Sequence, residues 1–353
     1  MTEIPMDGAA FGPMSRDPGI HSRIAECIAP GIRGMDTVKK AFALAMFSGK
    51  GRPDGYGGYV RGDVSVLAAG DVTMGWSSIL RSASYLCQGS EYTHVWPWYC
   101  AGTDQVVSDL PISAFPDDGG LMCIDGIEML DDDVQKGLSD MLETGFYSAG
   151  GTLCKGGHPV LAVCNPKYKR FIEEEPMADQ LDLDVRLLSR FDLVLVCTDD
   201  FDNATDLEVA ESMLAGEMCT WQKPPYDADT LRRYISYARA LDPAMTREAS
   251  EVLKDAYLAL RDQMRICTPR QLNSMIRISK AFSRMRLGGT VSEGDAEKAS
   301  DLMFRTLEDI RGKPEGMIPG TGLRTVLTPC NAEWLRAINY GFQMAHTPQP
   351  LRR

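Results

Sequence analysis

Short apolar runs alternate with helical patterns through the first two thirds of the chain. Four runs of apolar, mostly β-branched residues are bounded by polar or glycine-bearing turns, and they predict buried strands at Val64–Ala69, Leu121–Ile124, Val160–Val163 and Leu193–Cys197. Stretches with apolar residues at helical spacing lie before and between them, as in Met35–Phe47 and Ser77–Leu86. Strands that alternate with helices predict an α/β fold with a mainly parallel sheet flanked by helices.

The strand pattern stops near residue 226, and helical patterns follow. Four helices are predicted there, at Ala228–Leu241, Thr246–Met264, Pro269–Leu287 and Glu293–Ile310. Thr268 followed by Pro269 is typical of a helix start. We therefore expect a flexible leader over residues 1–19, an α/β core over 20–225, a helical lid over 226–312 and an irregular tail over 313–353.

Composition excludes several classes of protein. The 353 residues are 44% hydrophobic and 24% charged, which excludes disorder as a global description. The formal net charge of −12 disfavours non-specific nucleic-acid binding, so any DNA contact must be local. The ten cysteines include no C-x-x-C pair, which argues against a zinc site. No apolar run approaches the roughly 20 residues of a membrane span, and we expect an intracellular, reducing compartment.

The turn after the first predicted strand has the spacing of a phosphate-binding loop, G-x-x-x-x-G-K-[ST]. It reads Gly70, Asp71, Val72, Thr73, Met74, Gly75, Trp76, Ser77. The glycines and the serine match, but Trp76 stands where the lysine belongs. An ordinary strand-to-helix connection explains the turn equally well.

Polar residues end the next two predicted strands. Asp125 is suited to help hold Mg²⁺, but the residue after it, where a glutamate usually polarises the attacking water, is Gly126. Glu128 is a candidate replacement for that glutamate. Asn165 would lie beside a γ-phosphate. Asp125 could instead cap a helix, and Asn165 could make a local turn before Pro166.

Two arginines complete the set. Arg190 comes just before the fourth predicted strand, and Arg270 lies in the first turn of a predicted helix. Surface ion pairs explain most isolated arginines. They do not explain the order and spacing of all five features together.

The sequence resembles the AAA+ ATPase core of the minichromosome maintenance (MCM) replicative helicases. The likeness covers roughly residues 16–304 and includes IAPGIRGMDTVKKAF, CNPKYKRF, LLSRFDLVLV and TPRQLNSMIRISKAF. The resemblance implies an AAA+ P-loop core with a small C-terminal helical lid. The RFD and TPRQL segments are specific to this family among AAA+ proteins.

The resemblance also implies roles for individual residues. Residues 70–77 correspond to the ATP phosphate loop, Ser77 and Asp125 to the Mg²⁺ ligands and Asn165 to the sensor-1 asparagine. Arg190 corresponds to the arginine finger and Arg270 to the sensor-2 arginine, which both act in trans on a neighbouring subunit's site. We expect a glycine-rich hairpin between Phe146 and Val160 to line a DNA channel, with Lys155 near its tip.

Three hypotheses follow for function. The first is a non-catalytic (pseudo-ATPase) subunit in a nuclear ring of MCM-like subunits, with weak binding of ATP and Mg²⁺ and no zinc. Its motivation is the contrast between the altered own-site residues, Trp76 and Gly126, and the retained trans-acting residues, Arg190 and Arg270. The second is a degenerate but active ATPase or DNA helicase. The third is a relic gene copy that keeps the fold without a task.

Overall fold

The computed structural model describes residues 11–311, except 54, 56–58, 96–97, 100–105, 108–109, 111–115, 117–119, 150–151, 173–179, 198–206, 208, 213, 215–222 and 265–266. The tail predicted over residues 313–353 lies outside the described residues. Described strands, numbered in chain order, are β1 (Arg52–Pro53), β2 (Tyr59–Val60), β3 (Val66–Gly70), β4 (Glu91–His94), β5 (Trp98–Tyr99), β6 (Val106–Val107), β7 (Met122–Asp125), β8 (Phe146–Ala149), β9 (Thr152–Lys155), β10 (Val160–Cys164), β11 (Leu193–Cys197), β12 (Ala244–Met245) and β13 (Thr290–Val291).

One sheet of five parallel strands forms the centre of the α/β part. Its spatial order is β11, β3, β10, β7, β4, which confirms the predicted parallel sheet. Four of these strands overlap the predicted apolar runs. The fifth, β4, was not predicted, because its sequence EYTH is polar and it lies at the edge of the sheet with its residues half-buried or exposed.

Helices surround this sheet and form the rest of the chain. In chain order they are α1 (Gly12–Ser15), α2 (Ile20–Glu26), α3 (Asp36–Met46), α4 (Trp76–Leu86), α5 (Asp132–Thr144), α6 (Val185–Leu188), α7 (Ala228–Arg239), α8 (Arg247–Met264), α9 (Pro269–Met285) and α10 (Glu293–Arg311). The apolar stripe of α3 is buried where that helix packs on the sheet. Within the described ranges, no helix is long and apolar enough to cross a membrane.

The last four helices, α7 to α10, form the helical C-terminal region that the sequence predicts. Helix α9 begins with Pro269 at its first position and a capping box between Thr268 and Gln271. This arrangement satisfies backbone N–H groups that the first turn of a helix leaves without partners. It also fixes the start of the helix that carries Arg270.

Residues 11–19, which we expected to belong to a flexible leader, pack on the lid instead. Phe11 and Met14 are buried, and the Phe11 ring meets the Tyr234 ring edge-on at 5.3 Å between centroids. The expectation was wrong for these residues because isolated aromatic and methionine positions without periodicity carry no signal of burial in the sequence. Residues 1–10 lie outside the described residues.

Because of the environment of His21, we predict that the fold loses stability in mild acid. Its Nε2 lies 2.9 Å from the Lys40 carbonyl oxygen, and its ring packs against Phe282 of α9. Burial lowers the pKa of His21 to about 4, against an ordinary value of 6.5. Neutral His21 therefore contributes fully to the free energy of unfolding above pH 6.5. This contribution is lost as the pH falls from 6.5 towards 4, and about 1–2 kcal/mol is lost at pH 5.

Urea unfolding at pH 7 and pH 5 measures this effect. His21→Phe, which keeps the ring contact and removes the titrating group, should lose less stability than wild type between the two pH values. An identical loss in both proteins would assign the acid sensitivity to other groups.

Candidate nucleotide and subunit-contact site

Most residues of the candidate site lie at one edge of the parallel sheet. The loop from Gly70 to Ser77 follows β3, Asp125 ends β7 and Asn165 follows β10. The carboxyl ends of neighbouring parallel strands meet at one edge, where α/β proteins bind ligands. The sheet therefore brings together the own-site residues predicted from the sequence.

Backbone hydrogen bonds, one within the loop and one to Lys169, fix the loop after β3. Val72–Met74 form a single 3₁₀ turn, and Gly75 has a left-handed conformation with φ of 75°. The N–H of Val72 donates to the Lys169 carbonyl at 3.3 Å, and that of Met74 donates to the Asp71 carbonyl at 3.3 Å. These two amides, which in a phosphate-binding loop would face the ligand, are already bonded to protein oxygens.

Trp76 fills the floor of the loop. Its side chain is 3% exposed, and its Nε1 donates to the Asp71 carbonyl oxygen at 3.0 Å. The ring edge lies so close to Gly70 that a Cβ at that glycine would be 2.3 Å from Cζ2 of the indole. An indole offers one N–H donor and no charge, and here that donor is used within the protein.

Asp125 accepts hydrogen bonds from two side chains and lies close to a third. Ser77 Oγ and the Tyr92 hydroxyl each donate to its Oδ2 at 2.6 Å, and His94 Nδ1 lies 3.1 Å from the same oxygen. Burial and the bond to Asp125 raise the pKa of the Tyr92 hydroxyl. The sequence analysis missed Tyr92 and His94, although their alternation on β4 puts both on one face of the strand.

Glu128 contacts Asn165. Asn165 Nδ2 donates to Glu128 Oε1 at 3.0 Å. Burial raises the pKa of the Glu128 carboxyl in spite of this bond. Glu128 Oε2 and Asn165 Oδ1 are buried and have no hydrogen-bond partner among the described residues. Gly126 itself has φ of 86°, a conformation that strains any side chain.

Arg190 and Arg270 lie together, on one carboxylate. The Arg190 guanidinium pairs with Oε2 of Glu143, and Arg270 Nη2 lies 3.6 Å from Oε1 of the same residue. Burial and the charge of Arg190 lower the pKa of Arg270 to about 10, so Arg270 is still charged at neutral pH. Sequence reasoning missed Glu143, because an acidic residue in a helix is typical of a solvated face.

A buried ionic network ties this arginine pair to the junction of core and lid. Asp192 Oδ1 accepts from Ser274 Oγ at 2.6 Å and from Arg277 Nε at 3.1 Å, and its Oδ2 accepts from the Ser65 N–H at 2.9 Å and from Arg61 Nη2 at 3.4 Å. Burial alone would raise the pKa of Asp192, but Arg277 and Arg61 outweigh it and hold that pKa below its ordinary value.

The predicted hairpin is present, but Lys155 is not near its tip. Strands β8 and β9 pair antiparallel, with Ala149 opposite Thr152 beside the turn and Phe146 opposite Lys155 at the far end. Lys155 is thus about 10 Å along the strand from the turn, at about 3.3 Å per residue. The expectation was wrong because the pairing register, which puts Phe146 opposite Lys155, is not visible in the sequence.

Two residues of the candidate site could bind Mg²⁺, whereas the loop after β3 does not have the shape or charge to bind phosphate. Ser77 and Asp125 are adjacent and supply oxygen ligands of the kind Mg²⁺ prefers. No cluster of three or more His, Cys, Asp or Glu side chains suited to a metal ion occurs in the part of the chain that the structure describes. Since Trp76 supplies no cation and covers Gly70, the loop does not fit the β- and γ-phosphates of a nucleotide.

Sheet order, loop and lid define a P-loop domain of the AAA+ class. The MCM P-loop domain family matches residues 7–216, and the MCM AAA-lid domain family matches residues 229–307. The chain therefore belongs to the MCM family.

Curated relatives agree with this assignment. The chain is 33% identical over 320 residues to "Minichromosome maintenance protein MCM" of Saccharolobus solfataricus, which covers 84% of this chain and 46% of that protein. It is 29% identical to "DNA replication licensing factor MCM4" of Arabidopsis thaliana, over 83% of this chain and 38% of the relative. It is 29% identical to "DNA replication licensing factor mcm5-A" of Xenopus laevis, over 84% and 45% respectively. The chain spans less than half the length of these relatives.

Proposed function

We propose that this chain is a non-catalytic subunit of an MCM-type ring and completes the ATP site of a neighbouring subunit. The observation that carries the proposal is the contrast between two groups of residues. The loop that would bind the chain's own nucleotide is filled by Trp76 and has no lysine. The two residues that act in trans in the family, Arg190 and Arg270, are retained and lie on one carboxylate.

The expected losses of ATP affinity and of hydrolysis rate at the chain's own site support a non-catalytic role. A lysine that bonds β- and γ-phosphates contributes about 1.5–3 kcal/mol, or roughly 10- to 100-fold in affinity. Loss of a water-orienting carboxylate at Gly126 removes a factor of about 10²–10⁴ in rate. Binding of ATP and Mg²⁺ through Ser77 and Asp125 alone would be weak.

The family supports a role in DNA replication, and the proposal extends it to a nuclear ring of MCM-like subunits. The curated relatives above include DNA replication licensing factors. The proposal includes DNA contact through the hairpin, with Lys155 at its base. The division into a core over residues 20–225 and a lid over 226–312 also stays a prediction.

A second candidate function is a degenerate but active ATPase, with Glu128 in place of the missing glutamate. The contact between Glu128 and Asn165 favours this second candidate, because the contact brings a carboxyl group to the sensor-1 position. Burial opposes it, because burial raises the pKa of the Glu128 carboxyl and so disfavours the charged form that would polarise a water molecule.

Phosphate release by the purified protein separates the two candidates, and co-purification of MCM subunits from the source cell tests the first. The proposal expects no release above that of an Asp125→Ala variant. Turnover near 1 s⁻¹, within the usual enzyme range of about 1–10³ s⁻¹, that disappears in Asp125→Ala and in Glu128→Gln would establish the second candidate.

Restoring the lysine should restore nucleotide affinity. We expect Trp76→Lys to bind ATP about 10- to 100-fold more tightly than wild type, because the change removes the indole from Gly70 and adds a phosphate ligand. Gly126 is left unchanged, because its φ of 86° would strain a glutamate. Calorimetry with ATP and Mg²⁺ measures the affinity.

Trp76→Phe is the matched control, since it keeps an aromatic ring without a charge. Equal affinities of the lysine and phenylalanine variants, with both proteins folded by circular dichroism, would show that the missing cation is not what limits binding.

A further inference from the structure

Glu143 is the anion to which both trans-acting arginines are bound. It lies in the last turn of α5, where one of its carboxylate oxygens receives Arg190 and the other lies near Arg270. The Glu143 side chain is 42% exposed, whereas that of Arg190 is 10% exposed. The carboxylate is thus the accessible member of the cluster, and Arg190 is the enclosed one.

Contacts within the chain hold the two arginines in place independently of Glu143. Arg190 Nε donates to Ser139 Oγ at 3.3 Å, and the Arg190 carbonyl accepts from Arg61 Nη1 at 3.0 Å. Arg270 Nη1 donates to the Ser189 carbonyl at 3.1 Å. Both guanidiniums would therefore stay near their positions if Glu143 moved away.

Ion pairs among the described residues link several charged groups at this place. Among the described residues joined by these contacts, four guanidiniums face three carboxylates, namely Arg61, Arg190, Arg270 and Arg277 against Asp63, Asp192 and Glu143. Asp63 and Asp192 are buried, whereas Glu143 is at the surface. An anion that replaced Glu143 would meet two guanidiniums already arranged to bind two oxygens of one group.

We infer that Glu143 is an internal competitor for the terminal phosphate of the neighbouring subunit's nucleotide, and that this phosphate takes over the two guanidiniums when the subunits meet. The inference rests on the proposed function for the source of the phosphate. Glu143 is a positioning residue: it occupies the two guanidiniums in the separate subunit and so raises the nucleotide concentration at which they act. Its removal should strengthen phosphate binding without changing the maximal rate.

The first test uses the isolated protein with inorganic pyrophosphate as the probe, so it does not depend on any partner. Glu143→Gln should bind pyrophosphate at least about 10-fold more tightly than wild type, since a neutral amide no longer competes for the two cations. Glu143→Gln combined with Arg190→Ala should lose that gain. Asp140→Asn, which removes a charge from an exposed position on the same helix, should bind pyrophosphate as weakly as wild type.

The second test uses the mixture with an active MCM subunit. Glu143→Gln should lower the apparent KM for ATP of the mixture about 10-fold and leave kcat unchanged, whereas Asp140→Asn should change neither. Pyrophosphate binding by Glu143→Gln that equals wild type, in a protein that melts at the wild-type temperature, would overturn the inference. Stronger pyrophosphate binding without any stimulation of the partner would instead retain Glu143 as a competitor and reject the proposed function.

Discussion

Replacing Arg190 by alanine is expected to abolish the rate gain that the proposed function assigns to this chain when it is mixed with an active MCM subunit. An arginine that reaches a neighbour's γ-phosphate contributes about 10³–10⁵ in rate. Arginine suits this role because it stays charged and bonds two phosphate oxygens at once. Phosphate release by the mixture, measured over a range of subunit ratios, gives the effect.

Two further variants separate this role from a salt bridge within the chain. Arg190→Lys keeps the charge but loses the paired hydrogen bonds, so an intermediate rate is expected. Arg186→Ala removes a half-exposed arginine that pairs with Asp184 on the same segment, and it should stimulate the partner as wild type does. If Arg190 serves only to pair with Glu143, Arg190→Ala would lower the stability of the chain and would still stimulate the partner as wild type does.

Asp192→Ala is expected to lower the free energy of unfolding by about 3–5 kcal/mol, because it removes the buried carboxylate that pairs with two arginines. Arg61 and Arg277 would lose a shared carboxylate, and the buried N–H of Ser65 would lose its acceptor. Since the network joins the strand side of the molecule to α9, the loss should affect the whole fold. Urea unfolding followed by circular dichroism measures it.

Asp242→Ala is the matched control for this prediction. Asp242 pairs with Lys280 and Arg284 in the lid, but its side chain is 73% exposed. A surface pair of this kind contributes about 0–1 kcal/mol. A loss of stability in Asp192→Ala no greater than in Asp242→Ala would show that solvent or relaxation compensates the buried arginines.

The elements that could be predicted from the sequence are those with an apolar run or a recognisable cap. Apolar runs gave four of the five central strands, and the Thr268–Pro269 cap located the start of α9. Strand β4 was missed because an edge strand with polar side chains has no apolar signature. Tyr92, which donates to Asp125, and His94, which lies close to Asp125, were missed for the same reason.

The candidate site was predictable as a set of residue types, and not as a set of contacts. Motif spacing identified Trp76 as a substitution, but its packing on Gly70 depends on the direction of the side chain in the folded loop. Glu143 on α5 contacts Arg190 and Arg270, which lie 47 and 127 positions further along the chain. A single sequence does not show that residues so far apart are in contact. Hairpin register likewise decided the position of Lys155.

The most direct measurement compares Asp125→Asn with Arg190→Ala in a mixture with an active MCM subunit. In the proposed function, Asp125 belongs to the chain's own site and Arg190 acts in trans. A non-catalytic subunit predicts that Asp125→Asn stimulates the partner's phosphate release as wild type does, while Arg190→Ala gives none. The reverse pattern, with stimulation lost in Asp125→Asn and kept in Arg190→Ala, would show that the chain hydrolyses ATP at its own site and would contradict the account.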